Sequence, residues 1–245
     1  MTARFSLKPN EHLNSPEAKQ GFNKKLFAEV APKYDFITKA LSFGRDAAWK
    51  RHLIQTLPEK TAPVCIDLAC GTGDFTRMLA ERFPDGDVTG LDLTPAMLEL
   101  AKKQTANPAI TYLEGSMAAL PFDDESTDLV TGGYALRNAP DLDQTLGEIA
   151  RILRPNGTAA FLDFSKPRNS AGQTLTHLAL KIWGGFWGLI LHGNPDVYGY
   201  IADSLRTYPN RTTLQQKCTR HHLIPTHTKR FFGGLLEVIQ LQKKT

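Results

Sequence analysis

The chain has 245 residues, 41% of them hydrophobic and 22% charged, which is an ordinary globular balance and excludes extended disorder. A length of this order builds one large α/β domain or two small ones, either with a substantial core. The net charge of +4 is too small and too dispersed for a nucleic-acid-binding stripe. Three cysteines (Cys65, Cys70, Cys218) include no C-x-x-C pair, and the histidines lack ligand spacing, so neither a disulfide framework nor a metal site is expected.

Residues 1–20 are polar and lack the apolar core of a secretory signal; Arg4, Lys8 and Lys19 come with Glu11 and Glu17. They read as a mobile arm on a single domain spanning 21–245. From 21 to 57 the pattern is helical. Phe22, Leu26, Phe27 and Val30 recur at helical spacing, Pro32 interrupts, and two shorter pieces follow, one through Leu41 and one containing Ala47, Trp49 and Leu53.

A strict alternation comes next. Val64–Leu68 predicts a strand, Asp74–Phe83 a helix, Val88–Leu93 a strand, and Pro95–Gln104 a helix with Thr94 as N-cap. Ile110–Leu113 and Leu129–Gly133 predict further strands. Leu142–Leu153 is an amphipathic helix ended by Pro155-Asn156-Gly157, and Thr158–Phe164 is another strand. This rhythm predicts a parallel, doubly wound sheet. A second helical element spans 171–206, rich in Trp, Gly and Tyr. A helix over Thr212–Thr219 follows, and Thr226–Phe232 and Leu235–Leu241 around Gly233-Gly234 read as an antiparallel hairpin. The longest apolar stretch, Leu178 to Leu191, is interrupted by Lys181 and glycines and falls short of the ~20 residues that span a bilayer.

The most informative segment is Val64 to Thr76, VCIDLACGTGDFT: a strand, a glycine turn and a helix start. In phosphate sites this architecture offers backbone N–H groups and a positive helix end to an anion. Here Thr76 stands where a dinucleotide loop has its third glycine, and Asp74 where a phosphate loop has lysine. Asp67 and Asp74 bracket the turn and would repel a pyrophosphate. They suit a ligand with an ammonium and a sulfonium, so Asp67, Gly71, Thr72, Gly73 and Asp74 read as an S-adenosylmethionine site. Asp92, followed by Leu93, lies about 20 residues beyond the glycines, where a carboxylate meets ribose hydroxyls. Glu114 to Phe122 leaves the third strand and offers Ser116 and Met117 to an adenine edge; its plainer reading is a Pro turn.

After the fourth strand comes Gly132-Gly133-Tyr134-Ala135-Leu136-Arg137-Asn138. A cation beside a sulfonium is no obvious donor contact. Arg137 therefore addresses a substrate oxygen or an acid, or else forms a surface pair with Asp141 or Asp143. Trp183, Phe186 and Trp187 are either core, an apolar lid or an interfacial face.

These residues carry a resemblance that runs over nearly the whole chain after residue ~20. The chain resembles the ubiquinone/menaquinone C-methyltransferases. Similar to that family are Phe27 to Asp35, Leu41-Ser42-Phe43-Gly44 with Trp49-Lys50-Arg51, and Asp67 to Asp74. Ala135 to Asn138, Leu153-Arg154-Pro155, Phe164-Ser165-Lys166-Pro167, Tyr198-Gly199-Tyr200 and Ser204-Leu205-Arg206 are more specific. The chain departs from the family pattern at Thr38, where Asn is usual, at Ser116-Met117, and at Phe232.

The resemblance implies an α/β fold of class I methyltransferase type. That fold is a Rossmann-like doubly wound sheet of seven strands ending in an antiparallel hairpin, with helical caps at 21–57 and 171–206. It implies S-adenosylmethionine as donor, held by Thr72, Asp92, Ser116, Met117 and Gly133, and a prenylated quinol as acceptor. Arg137 would sit at the reacting end, with Tyr34, Tyr134 and Tyr200 lining the pocket. The expected setting is cytoplasmic, peripheral to a membrane, with no nucleic-acid partner and a homodimer left open. Two rivals stay open: a methyltransferase of another apolar small molecule in secondary metabolism, and a catalytically silent cofactor-binding subunit.

Overall fold

The computed structural model describes residues 9–167 and 169–244. Four helices open the chain: α1 (Pro9–His12), α2 (Pro16–Val30), α3 (Tyr34–Leu41) and α4 (Asp46–Gln55). The alternation then runs β1 (Val64–Leu68), α5 (Asp74–Arg82), β2 (Asp87–Asp92), α6 (Pro95–Gln104), β3 (Ile110–Glu114), β4 (Thr127–Gly133), α7 (Leu142–Ile152) and β5 (Leu153–Phe164). Two helices, α8 (Ser170–His192) and α9 (Asp196–Thr207), precede α10 (Arg211–Arg220) and the hairpin of β6 (Leu223–Phe231) and β7 (Leu236–Lys243).

The seven strands form one sheet in the order β3-β2-β1-β4-β5-β7-β6. β1 to β5 pair in parallel, whereas β7 is antiparallel to both β5 and β6. The order reverses between β1 and β4, and ligands of open α/β sheets bind in the crevice at such a switch. Side chains of β1 alternate across the sheet, as the two-residue period requires. Ile66 and Leu68 join the core under α7 and α10, while Cys65 joins Leu53, Phe75 and Leu79 under α4 and α5. A third cluster, Phe22, Leu26, Val30 and Ile37 with Met97, Val197 and Tyr200, welds α2, α3, α6 and α9 together.

Two local readings are corrected, and a third, the Thr94 cap, holds in position. Residues 16–20, expected in a mobile arm, are the first turns of α2, where Ser15 accepts the Ala18 N–H at 3.2 Å and Pro16 occupies the first helical turn. Residues 1–8 of that arm lie outside the described residues. Pro155-Asn156-Gly157 is not a loop. The chain is extended from Leu153, and the register moves from Thr127↔Leu153 to Leu129↔Thr158, so the three residues are an irregularity within β5, with Asn156 at φ +62°. Thr94 holds the cap position of α6 without a side-chain bond; its N–H donates instead to Asp92 Oδ1 at 2.8 Å.

α8 and α9 meet through glycines. A Cβ on Gly184 would lie 2.5 Å from the Tyr198 carbonyl oxygen, and one on Gly188 2.5 Å from that of Asn194, so backbone contact sets the crossing. At Gly185 a Cβ would be in ordinary contact with Pro195 alone, 3.6 Å from its Cβ and 3.9 Å from its carbonyl oxygen. Gly184→Ala is therefore expected to destabilise by about 1–3 kcal/mol through overpacking. Gly185→Ala, one residue on, should gain up to about 1 kcal/mol in helix propensity. Thermal melts of the two variants check this opposition of sign.

Candidate active site

A cavity of about 1020 Å³ runs from the carboxyl ends of β1 to β4, past α2 and α9, to a mouth between α8 and the β6–β7 hairpin. At the sheet end it is lined by Ala69, Gly71, Asp92, Leu93, Gly115, Ser116, Met117 and Gly133. Each of these follows or ends a parallel strand. Gly71 needs its conformational freedom for φ +56°; the Tyr34 ring, 3.7 Å from where a Cβ would stand, would only touch it. A Cβ on Gly133 would strike the Phe75 ring at 2.7 Å. The two glycines thus keep backbone at the cavity wall.

Asp92 is buried, and its oxygens accept the Gly71 N–H at 2.8 Å and the Thr94 N–H at 2.8 Å. Burial raises its carboxyl above the usual range, and these backbone bonds pull it back. Asp92 is the one carboxylate among the lining residues.

The other loop residues expected to hold a cofactor are absent from the lining. Asp67 accepts the hydroxyls of Thr76 at 2.7 Å and Thr131 at 2.9 Å, and burial pushes its carboxyl up to about 6. Gly73, at φ +84°, lies against the Tyr112 hydroxyl, 2.5 Å from a hypothetical Cβ. Thr72 Oγ1 donates to Asp35 Oδ1 at 2.7 Å. Asp74 accepts from Lys50 Nζ at 2.7 Å and Arg77 Nη2 at 2.6 Å. Burial alone would raise the Asp74 carboxyl, but these cations outweigh it and hold it below the usual range. Asp67 is thus enclosed by hydroxyls and the part-exposed Asp74 is paired with two cations, and Asp92 remains to present negative charge to the cavity.

Residues that sequence reasoning did not single out make these ties. Lys50 of α4 is buried, 2.5 Å from Asp46 and 2.7 Å from Asp74, while Asp46 also accepts the Tyr134 hydroxyl at 2.6 Å. Burial pulls the Lys50 ammonium down, but the charges of Asp46 and Asp74 override it and raise it above its ordinary value. The cap is thereby fastened to both the β1 and β4 turns.

Arg137 lies deeper in the same cavity and is buried. It forms no surface pair; Asp143 pairs instead with Lys217 and His221. The Arg137 N–H donates to Asp163 Oδ2 at 2.9 Å, its Nε stands 3.7 Å from Asp163 Oδ1, and Nη1 donates to Ser204 Oγ. The guanidinium lies over the rings of Phe164 (5.3 Å) and Tyr200 (5.7 Å). The Tyr200 hydroxyl donates to Asn23 Oδ1 at 2.7 Å, and burial pushes it up to about 12. Burial likewise pushes Tyr34 up to about 12. Both tyrosines line the cavity as neutral phenols, and Thr38 and Phe232, two of the positions that depart from the family pattern, line it as well.

The sequence matches the ubiE/COQ5 methyltransferase family over residues 14–237. The chain belongs to that family. It is 36% identical to a demethylmenaquinone methyltransferase of Thermus thermophilus, over 78% of this chain and 87% of that one. It is 35% identical to a 2-phytyl-1,4-naphtoquinone methyltransferase of Thermosynechococcus vestitus, over 89% of this chain and 97% of that one. The fold is similar to that of a Haloferax volcanii putative methyltransferase solved with its Trm112 activator, at a TM-score of 0.68, 19% identity, and 89% and 98% coverage. The seven-stranded class I arrangement and methyltransferase activity expected from the motifs are those of the family.

Lys50 gives the test of the site's wiring. Lys50→Met leaves Asp46 and Asp74 without their shared cation, and removing one partner of a buried pair costs roughly 3–5 kcal/mol. In a chain of this size the melting temperature should fall by roughly 10 °C, read by calorimetry.

Proposed function

We propose that the chain transfers a methyl group from S-adenosylmethionine to a ring carbon of a prenylated quinol. The observation that carries this reading is the continuity of the cavity. It joins a glycine-and-carboxylate end, a buried guanidinium, and an apolar mouth lined by Leu175, Ala179, Trp183 and Phe232. The names of the Thermus and Thermosynechococcus relatives, both naphthoquinone-type methyltransferases, support it.

The residues present fit the donor. Gly71, Leu93, Gly115, Ser116, Met117 and Gly133 would form its cradle, and a Cβ at Gly133 would push that wall off the Phe75 ring beneath it. Asp92 would accept its ribose hydroxyls, while Asp67, Thr72, Gly73 and Asp74 would hold the loop's shape from behind. When bound, S-adenosylmethionine supplies a methyl group activated by its sulfonium.

On the acceptor side, loss of a hydroxyl proton to water would move electron density onto the neighbouring ring carbon, and once methylated that carbon would release its own proton while the oxygen regains one, which restores the aromatic quinol. Arg137 is placed to hold the resulting phenolate oxygen, in a pocket where burial strengthens a charge-assisted bond. Tyr200, Tyr134 and Tyr34 give the ring aromatic and apolar walls. Holding two reactants in a productive geometry supplies up to roughly 7–11 kcal/mol of a bimolecular barrier, so alignment by these walls is the larger part of the work.

Incubation with labelled donor and a panel of demethylated benzo- and naphthoquinols tests the reading. Arg137→Ala should lower kcat by roughly 10²–10³-fold with donor affinity intact. Asp92→Ala should weaken donor binding by roughly 10-fold or more in calorimetry, the worth of one hydrogen bond to a charged group. Donor binding without turnover of any quinol would instead favour the silent-subunit reading.

The mouth suggests how a lipid-soluble acceptor arrives. Leu175, Leu178, Ile182, Phe186 and Leu189 recur at three- and four-residue spacing on α8 and are all at least half exposed. Phe36, Phe43 and Phe232 extend this apolar face, with Phe43 stacked on Trp183 at 5.2 Å. Arg230, near Phe232, adds a cation at the rim. Among the described residues no helix is long and apolar enough to cross a membrane. The proposed role is therefore a helix lying in the lipid interface. Ile182→Glu with Phe186→Glu should cut binding to anionic lipid vesicles by roughly 10-fold or more. Turnover of a short-tailed quinol should be unaffected, and light scattering should show a monomer; a dimer dissociated by the same substitutions would make α8 a subunit interface instead.

A further inference from the structure

The turn that carries Arg137 has a backbone problem. Leu136–Asn138 is a single turn of 3-10 helix, and Ala139 beyond it is extended at φ −52°, ψ 131°. The carbonyls at the end of so short a helix have no partner within it. Pro140 follows and has no N–H to return. The missing donors come from the N-terminal helix. Lys19 Nζ donates to the carbonyl oxygens of Arg137 at 3.0 Å and Ala139 at 2.6 Å, and Asn23 Nδ2 donates to that of Asn138 at 2.8 Å. Lys19 and Asn23 are four residues apart, on one face of α2. Three consecutive carbonyls are thus held by two neighbouring side chains.

The grip continues through the amide of Asn23. Its Oδ1 accepts the Tyr200 hydroxyl at 2.7 Å, and the same hydroxyl lies 3.1 Å from Asn138 Oδ1. Asn138 Nδ2 in turn donates to the Tyr134 carbonyl at 2.8 Å. α2, the exit of β4 and α9 therefore meet at one point, directly behind the guanidinium.

We propose that Lys19 and Asn23 are positioning residues, which fix the Arg137 turn from α2 and so set the guanidinium in the cavity. The reading rests on the role given to Arg137 above. Stability alone does not explain the lysine. Burial and the neighbouring Arg137 charge pull its ammonium down to about 8, and Asp163 and Asp141 only partly offset them. A group whose folded pKa lies below its ordinary value opposes folding while charged, and that burden lifts only as the pH climbs past 8. A cation kept beside another buried cation at neutral pH is kept for what it holds.

The experiment uses the full chain with Lys19→Met, Asn23→Leu and Lys19→Arg. It reads kcat on a demethylated naphthoquinol, donor affinity by calorimetry, and amide hydrogen exchange over 134–140 and over 64–76. Lys19→Met and Asn23→Leu should each lower kcat by about ten-fold, the worth of an ordinary hydrogen bond, with donor affinity unchanged. Exchange should quicken over 134–140 but not over 64–76. Lys19→Arg, which keeps the donors, should behave as wild type. Unchanged kcat and exchange in both Lys19→Met and Asn23→Leu would overturn the proposal. So would equal loosening of 64–76 with loss of donor affinity, or a Lys19→Arg as slow as Lys19→Met. If the wild type turns over no quinol, the reading of the reaction fails, and the exchange measurement still decides the clamp.

Discussion

A strand that ends in a ligand crevice leaves the turn beyond it only partly paired: the Cys70 N–H still reaches the Leu91 carbonyl at 3.0 Å and the Tyr134 N–H that of Leu162 at 2.6 Å, but the rest of each turn needs other partners. Here the partners are side chains reaching across the fold, and the site depends on them. Asp92 at the end of β2 takes the Gly71 N–H at the exit of β1. Asp163 at the end of β5 takes the Arg137 N–H after β4. Lys19 and Asn23 take the carbonyls of the same turn. Each carboxylate is buried, and each is raised by that burial, yet each does backbone work that no neutral isostere repeats with two acceptors.

The cap follows from the same constraint. Its helices bury Phe22, Leu26 and Ile37 against Met97 and Tyr200, which gives the non-directional part of the attachment. The directional part is polar: Asp35 to Thr72, Lys50 to Asp74, Asp46 to Tyr134. Apolar burial tolerates sliding, whereas these bonds do not, so they set the register of the cap over the glycine loop. Gly71 then matters for its positive φ, with Tyr34 of the cap in ordinary contact range beside it.

Much of this was legible in the residues. β1 and α6 begin and end where the apolar period and Pro95 place them, since local pattern and burial agree there. The irregularity in β5 was hidden because Pro-Asn-Gly is turn chemistry in any local reading, and only the pairing of Thr127 with Leu153 keeps it within the sheet. α2 was partly hidden: Ser15-Pro16 is a helix start, but the polar residues behind it mimic an arm until Lys19 is seen to reach Arg137. The loop acids misled in another way. Spacing places Asp67 and Asp74 beside the glycines, but orientation is a tertiary property, and Thr76, Thr131 and Lys50 claim their oxygens.

That reassignment changes how charge is distributed along the cavity. With Asp74 matched by Lys50 and Arg77, and Asp67 enclosed by hydroxyls, the sheet end presents Asp92 alone. Arg137 faces the middle of the cavity with Asp163 behind it, so its charge is compensated on the protein side and open on the other. A cationic donor and an acceptor that develops negative charge would each meet the opposite sign, in one continuous space. Placing both charges on the loop would serve neither. A compensated cation next to a sulfonium repels it less than a bare one, and it can still answer the charge that forms on the acceptor.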